Sequence, residues 1–163
     1  MNTNKNSYII IYSAVLVVIV AFLLAYIFQA LKPMQDVNVA LDKKKQILAA
    51  LNIRELGDVE SAEKYKEVVK ADMIVDANAQ VIEAGEQGGE KAAFKLNSAD
   101  YKAGKLAVYV CEVDGKTKYV IPVYGMGLWG PIWGYISLDE DKNTVFGAYF
   151  NHDRESAGLG AEI

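Results

Sequence analysis

At 163 residues, with 17 Lys and Arg against 21 Asp and Glu, the chain has the length of one domain and a net charge of −4. That balance argues against a nucleic-acid partner, which needs clustered basic residues. The single cysteine, Cys111, excludes an intramolecular disulfide and a cysteine-only metal or iron–sulfur centre; between valines 110 and 113 it reads as a small buried hydrophobe.

The uncharged run Tyr8 to Ala30 is long enough to cross the roughly 30 Å hydrocarbon core as a helix, at about 1.5 Å per residue. Tyr8, Tyr12, Tyr26 and Phe28 place aromatics near both ends, where amphipathic rings favour the membrane interface. The run exceeds the apolar core of a cleaved signal peptide and lacks a good small-residue cleavage pattern, so it is read as a single uncleaved span. Lysine counts leave its orientation open. Lys5 precedes the span, whereas Lys32 and Lys43-Lys44-Lys45 follow it.

Pro33 can begin or kink a helix, and beyond it Leu41, Leu48 and Leu51 fall on one helical face with the lysines on the other. Gly57-Asp58 reads as a break and an N-cap, followed by a short amphipathic helix through Val59, Ala62, Tyr65, Val68 and Val69. From Met73 the period changes to that of strands. Met73-Ile74-Val75 and Gln80-Val81-Ile82 flank a turn, and the polar stretch Glu83 to Gly104 is expected to be an irregular surface excursion. Leu106 to Cys111 is a strand closed by the Asp114-Gly115 turn. Lys118 to Ile121 answers it, Pro122 limits pairing on one edge, and Trp133 to Leu138 and Val145 to Phe150 complete a meander. The pattern predicts an α+β domain: an antiparallel sheet with flanking helices behind a single transmembrane helix. The expected division is anchor 1–32, juxtamembrane helical segment 33–71 and domain 72–163.

Two stretches stand out as candidate walls of a site. Gly125-Met126-Gly127-Leu128-Trp129-Gly130-Pro131-Ile132-Trp133-Gly134 holds both tryptophans, and His152-Asp153-Arg154-Glu155-Ser156-Ala157-Gly158-Leu159-Gly160 holds the only histidine. Closely spaced glycine lets a backbone approach a ligand, but tight turns between strands account for the same composition. Gly125 and Gly127 do not form a dinucleotide fingerprint, because no third glycine opens a helix at the right spacing. His152, Asp153 and Glu155 on one connecting segment read as a solvated loop rather than a metal or acid/base set. No catalytic residue and no metal ligand is assigned.

The apolar anchor, Leu41-Asp42-Lys43-Lys44-Lys45-Gln46-Ile47-Leu48, Tyr124 to Gly130, Asn143-Thr144-Val145 and His152 to Ile163, in that order, together resemble the C subunit of the Na⁺-translocating NADH:quinone oxidoreductase. The G subunit of the Rnf electron-transport complex is a related alternative. The resemblance implies a small FMN-binding domain on the periplasmic face of the bacterial inner membrane, with the N-terminus cytoplasmic. It implies partners among the other subunits, a place in a redox-driven sodium translocase whose reaction no isolated subunit performs alone, and FMN joined to a threonine by a flavin transferase. Trp129 and Leu159 would give apolar contact to the flavin. Polar contact would come from amides around Glu155, Ser156, Gly158 and Gly160 and from the Ser156 hydroxyl. The family's Glu-Thr-Pro-Gly-Leu-Gly is here Glu155 to Gly160 with Ser156 and Ala157 in its second and third places. The modified threonine of relatives lies in a Ser-Gly-Ala-Thr type motif that none of Thr3, Thr117 and Thr144 matches, so it is expected downstream of Ile163. The remaining alternative is a truncated, membrane-tethered domain with no flavin and only an assembly or binding role.

Overall fold

A computed structural model of the chain describes residues 6–127 and 130–152. The chain divides into two units, 1–40 and 41–163. One helix, α1 (Asn6–Ala50), contributes to both.

In the first unit α1 is apolar on all sides. Ile10, Phe22 and Tyr26 are 67%, 74% and 77% exposed, and the segment is long and apolar enough to cross a membrane. A helix that is apolar all round and has no protein packed on it is suited to lipid, which satisfies its side chains while the helix satisfies its own backbone. Tyr8 and Tyr12, one turn apart, stack with ring centroids 6.3 Å apart. Pro33 neither begins nor ends the helix but lies inside it, leaving the carbonyl of Gln29 without its usual donor.

The second unit is α+β. After the last turns of α1 come α2 (Asp58–Val68), β1 (Val69–Val75), β2 (Val81–Glu83), a short 3-10 turn (Ala93–Lys95), α3 (Ser98–Lys102), β3 (Leu106–Val113), β4 (Lys116–Met126), β5 (Pro131–Leu138) and β6 (Val145–His152). The strands form one antiparallel sheet in the order β2-β1-β3-β4-β5-β6. The meander expected from the sequence is therefore β3 to β6, with the β1–β2 hairpin added beside β3. β3 pairs with β4 only as far as Tyr109 and Val120, whereas β4 pairs with β5 on to Met126 and Pro131. Pro122 lies just beyond that divergence and has no N–H to offer β3.

The helical elements pack on one sheet face. Ile47, Leu48 and Leu51 from the end of α1, Tyr65 and Val68 from α2, and Ala93 meet Tyr109, Cys111, Val120 and Tyr135 of the sheet. The end of α1 is closed by residues far along the chain. The Ser137 hydroxyl donates to the Ala50 carbonyl at 2.6 Å, and the Asn52 amide donates to the Phe146 carbonyl at 3.0 Å. A Cβ at Gly147 would lie 2.4 Å from the Ala50 carbonyl oxygen, so the helix end approaches β6 this closely only because glycine is there.

Three local expectations are corrected. β1 begins at Val69 rather than Met73, and Asp72 is wholly buried within it. The stretch from Glu83 to Gly104 is not a surface excursion. Ala92 and Ala93 are in the core, and α3 is capped by the Asn97 side chain accepting from Ala99 and Asp100 N–H groups. Lysines 43–45, read only as the helix face away from the leucines, each have a partner elsewhere in the unit: Lys43 donates to the Phe94 carbonyl at 2.5 Å, Lys44 pairs with Glu90 at 2.7 Å and Lys45 with Asp58 at 2.5 Å.

Asp72 explains the second and third corrections together. Its carboxylate accepts N–H from Ala92 at 2.7 Å, Phe94 at 3.2 Å and Glu86 at 3.3 Å, folding the 84–95 segment back over β1. Lys43 closes the same region from above, its ammonium 4.5 Å from the Phe94 ring centroid. Burial lowers the Lys43 ammonium from 10.5 to about 8, opposed by the negative charge of Asp72. Between pH 8 and 10.5 the folded chain therefore holds fewer protons here than the unfolded chain, and this group makes stability rise with pH. The buried hydroxyls of Tyr65, Tyr109 and Tyr135, held above their ordinary value by burial, act the opposite way above about pH 10. Lys43→Met should remove the rise and leave the tyrosine-driven fall. Thermal unfolding of both forms from pH 7 to about 11.5 checks this, and identical pH dependences would contradict it.

Candidate functional site

The register of β4, β5 and β6 brings Gly125 and His152, the first residues of the two glycine-bearing stretches, to one end of the sheet. Met126 pairs with Pro131 across the β4–β5 connection, and Ile132 pairs with both Gly125 and His152. The first stretch therefore makes the hairpin end, and the second starts from the neighbouring strand. Trp129, Glu155, Ser156, Gly158, Leu159 and Gly160, the residues singled out from the sequence, lie outside the described residues, as do Asp153 and Arg154.

The glycines at this end have different reasons for being glycine. A Cβ on Gly127 would lie 2.6 Å from Ile132 Cδ1, and the Gly127 N–H donates to the Gly130 carbonyl at 2.8 Å. A Cβ on Gly134 would lie 2.1 Å from the Tyr149 carbonyl oxygen. Gly134 is required by the packing of β5 against β6, whereas Gly127 sits in the tight β4–β5 connection with the movable end of Ile132 nearest it. Gly125 has nothing within 4 Å of a Cβ position and is the one with open backbone beside it. On either side of it, Tyr124 and Met126 are 74% and 76% exposed. An exposed aromatic and a polarizable thioether beside an accessible backbone offer contact to a flat apolar ring system. Reasoning from the residues alone passes over this pair; the signal is two large apolar residues alternating with glycine at a strand end.

Inward from this end lies a cleft of about 410 Å³, a volume in the range of small-molecule sites. Leu48, Ile53, Leu56 and Tyr149 give it apolar walls, and Asp42, Arg54, Glu55 and Asn151 put charged and polar groups at its rim. Both cations of its lining already have partners, Lys45 on Asp58 at 2.5 Å and Arg54 on the Ala148 carbonyl at 3.4 Å. Glu55 has a φ of 62°, a left-handed conformation unusual for a residue with a side chain.

The described threonines are at the other end of the sheet. Thr117 opens β4 after the β3–β4 turn, and Thr144 ends the β5–β6 turn with its hydroxyl donating to Asp141 at 2.5 Å. Three hydrogen bonds from the Thr144 hydroxyl and the amides of Asn143 and Thr144 hold the Asp141 carboxyl at about 2. Neither hydroxyl lies beside the glycine-bearing end. Cys111 is wholly buried, and burial pushes its thiol up to about 12, so it is inert at neutral pH.

No protein-family model matches the chain. It is 32% identical over 148 residues to the C subunit of the Na(+)-translocating NADH-quinone reductase of Haemophilus ducreyi, covering 82% of this chain and 57% of the relative. It is 31% identical over 158 residues to the same subunit of Pseudomonas aeruginosa, covering 82% and 58%. The crystal structure of the C subunit from Parabacteroides distasonis superposes with a TM-score of 0.71 at 39% identity, covering 80% of this chain and 62% of that one. The chain spans somewhat over half the length of these relatives. Over four-fifths of its own length, in sequence and in fold, it is similar to the C subunit of Na(+)-translocating NADH-quinone reductase.

Proposed function

We propose that this chain is a membrane-anchored subunit of a Na⁺-translocating NADH-quinone reductase, and that its sheet unit holds FMN and relays electrons between other subunits. The similarity to the C subunit over about four-fifths of this chain carries the proposal. The described residues at the Gly125 end of the sheet suit a flavin: Tyr124 and Met126 offer exposed apolar surface, and Gly125 leaves the backbone open. In this reading Trp129 and Leu159 complete the apolar contact, and the Ser156 hydroxyl with the amides from Glu155 to Gly160 supplies polar contacts. Bound flavin supplies the redox chemistry; the protein positions it and sets its surroundings. A flavin transferase would be a further partner, acting on a threonine outside the 163 residues.

The proposed orientation puts the N-terminus in the cytoplasm and the sheet unit in the periplasm. One experiment addresses both parts. Deleting the gene should abolish sodium-dependent NADH:quinone reduction in membranes, and restoring it with Asn78→Cys should recover that activity. Residue 78 is in the exposed β1–β2 turn, so its thiol should react with a membrane-impermeant reagent in intact spheroplasts while Cys111 stays unreactive. Undiminished activity after deletion refutes the complex; labelling only after lysis refutes the orientation.

A further inference from the structure

In an antiparallel ladder every second residue turns both of its backbone groups toward the same neighbour, so an edge strand presents a row of N–H and C=O groups to whatever lies outside. Among the described residues the edges of this sheet are β2 and β6. β2 is only three residues long, which limits what can pair with it. β6 has eight residues, with no Lys, Arg, Asp, Glu or Pro to discourage a neighbouring strand. Its outer side is instead met by the chain between α1 and α2. The Asn52 amide donates to the Phe146 carbonyl at 3.0 Å, and the Arg54 guanidinium to the Ala148 carbonyl at 3.4 Å. The step of two from 52 to 54 matches the step from 146 to 148, the repeat at which a paired strand would offer its own N–H groups. Ile53 between them packs on the core. Asn52 has a φ of 62°, a left-handed conformation that asparagine adopts more readily than most residues. A Cβ on Gly147 would lie 3.0 Å from the Asn52 side-chain amide, so this side chain rests directly on β6. Further along the strand the His152 N–H donates to the Asn151 Oδ1 at 2.8 Å.

We infer that Asn52 and Arg54 guard this edge: their side chains fill outward hydrogen-bonding positions of β6 and keep it from pairing with β6 of a second copy of this chain. A second copy is the partner to be excluded because two β6 strands can pair antiparallel about a two-fold axis, each offering the other the same edge with no like charge to repel it. Arg54 supplies the charge that the strand itself lacks, and on each copy it stands where the other strand would lie. The inference rests on residues 52–54 and β6 and is independent of any flavin or electron relay.

Asn52→Gly combined with Arg54→Ala tests it, since glycine keeps the left-handed backbone and removes the amide. Light scattering of the detergent-solubilised chain, with the detergent contribution subtracted, should show self-association at a concentration at least about tenfold below that of the parent chain. Val145→Lys, at an exposed position of β6, should return the double variant to parent behaviour, because lysine on an edge strand discourages pairing. Buried Cys111, unreactive toward a thiol reagent, reports that each variant is folded. Arg54→Ala alone removes one exposed side chain and carries the test if the double variant does not fold; it too should associate more readily than the parent. A folded variant that associates no more than the parent, or whose association Val145→Lys leaves unchanged, overturns the inference.

Discussion

Asp72→Ala should lower the stability of the sheet unit by about 3–5 kcal/mol, a shift on the order of 10–20 °C in melting temperature. The carboxylate is wholly buried and accepts three backbone N–H groups, from Glu86, Ala92 and Phe94. Removing it leaves those donors without acceptors, at about 1–3 kcal/mol for each that water cannot reach, and deprives half-buried Lys43 of its nearby negative charge. Asp76 provides the contrast. Its Oδ1 accepts the N–H groups of Asn78 and Gln80, both at 2.8 Å, but in an exposed turn that water can re-solvate. Asp76→Ala should cost only about 0.5–1.5 kcal/mol. Near-UV circular dichroism of the detergent-solubilised chain follows tertiary unfolding through the buried rings of Tyr65, Tyr109 and Tyr135. Equal losses for the two variants would show that burial of the Asp72 carboxylate is not what matters.

The second expectation is all-or-none. The 163-residue chain co-expressed with a flavin transferase should carry no covalent FMN. A phosphodiester needs an acceptor hydroxyl in a sequence the transferase accepts. The resemblance places that acceptor in a Ser-Gly-Ala-Thr type motif that this sequence does not contain. Thr117 and Thr144 lie at the sheet end opposite the glycine-bearing stretches, and the Thr144 hydroxyl is engaged by Asp141. A denaturing gel under ultraviolet light gives the result directly. A fluorescent band at the size of this chain would show that an acceptor exists within it. Such a band would also displace the flavin from the end where we put it, if the modified residue proved to be Thr117 or Thr144.

The parts of this fold that sequence revealed are those governed by local period. The apolar run of β3 and its turn at Asp114-Gly115, the short α2 with its break at Gly57, and the apolar length of α1 all follow from neighbours in the chain. Asp72 and Lys43 were hidden because their partners are distant. The amides that satisfy Asp72 lie 14–22 residues on, and the carbonyl that receives Lys43 lies 51 residues on. A charged residue in a strand or on a helix reads as solvent-facing until those partners are known. The glycines were legible as special but ambiguous in purpose. Only the position of the Tyr149 carbonyl separates Gly134, needed for packing, from Gly125, which has open space. For the candidate site, the sequence pointed to the two stretches and the sheet register brought their starts together. The side chains named for flavin contact rest on the resemblance.

The closure of α1 has a consequence for the order of events on the ribosome. The Ala50 carbonyl receives its hydrogen bond from Ser137, 87 residues later, and Gly147 later still provides the surface against which that carbonyl rests. At roughly 5–20 residues per second, synthesis takes roughly 4–17 s to cover those 87 residues. Throughout that interval Ile47, Leu48 and Leu51 have been made, while the strands that bury them are still incomplete. The helix end is thus finished by nearly the last piece of the sheet to emerge. The nascent unit spends seconds with its most apolar helical turn uncovered, a window in which a holding chaperone has something to grip.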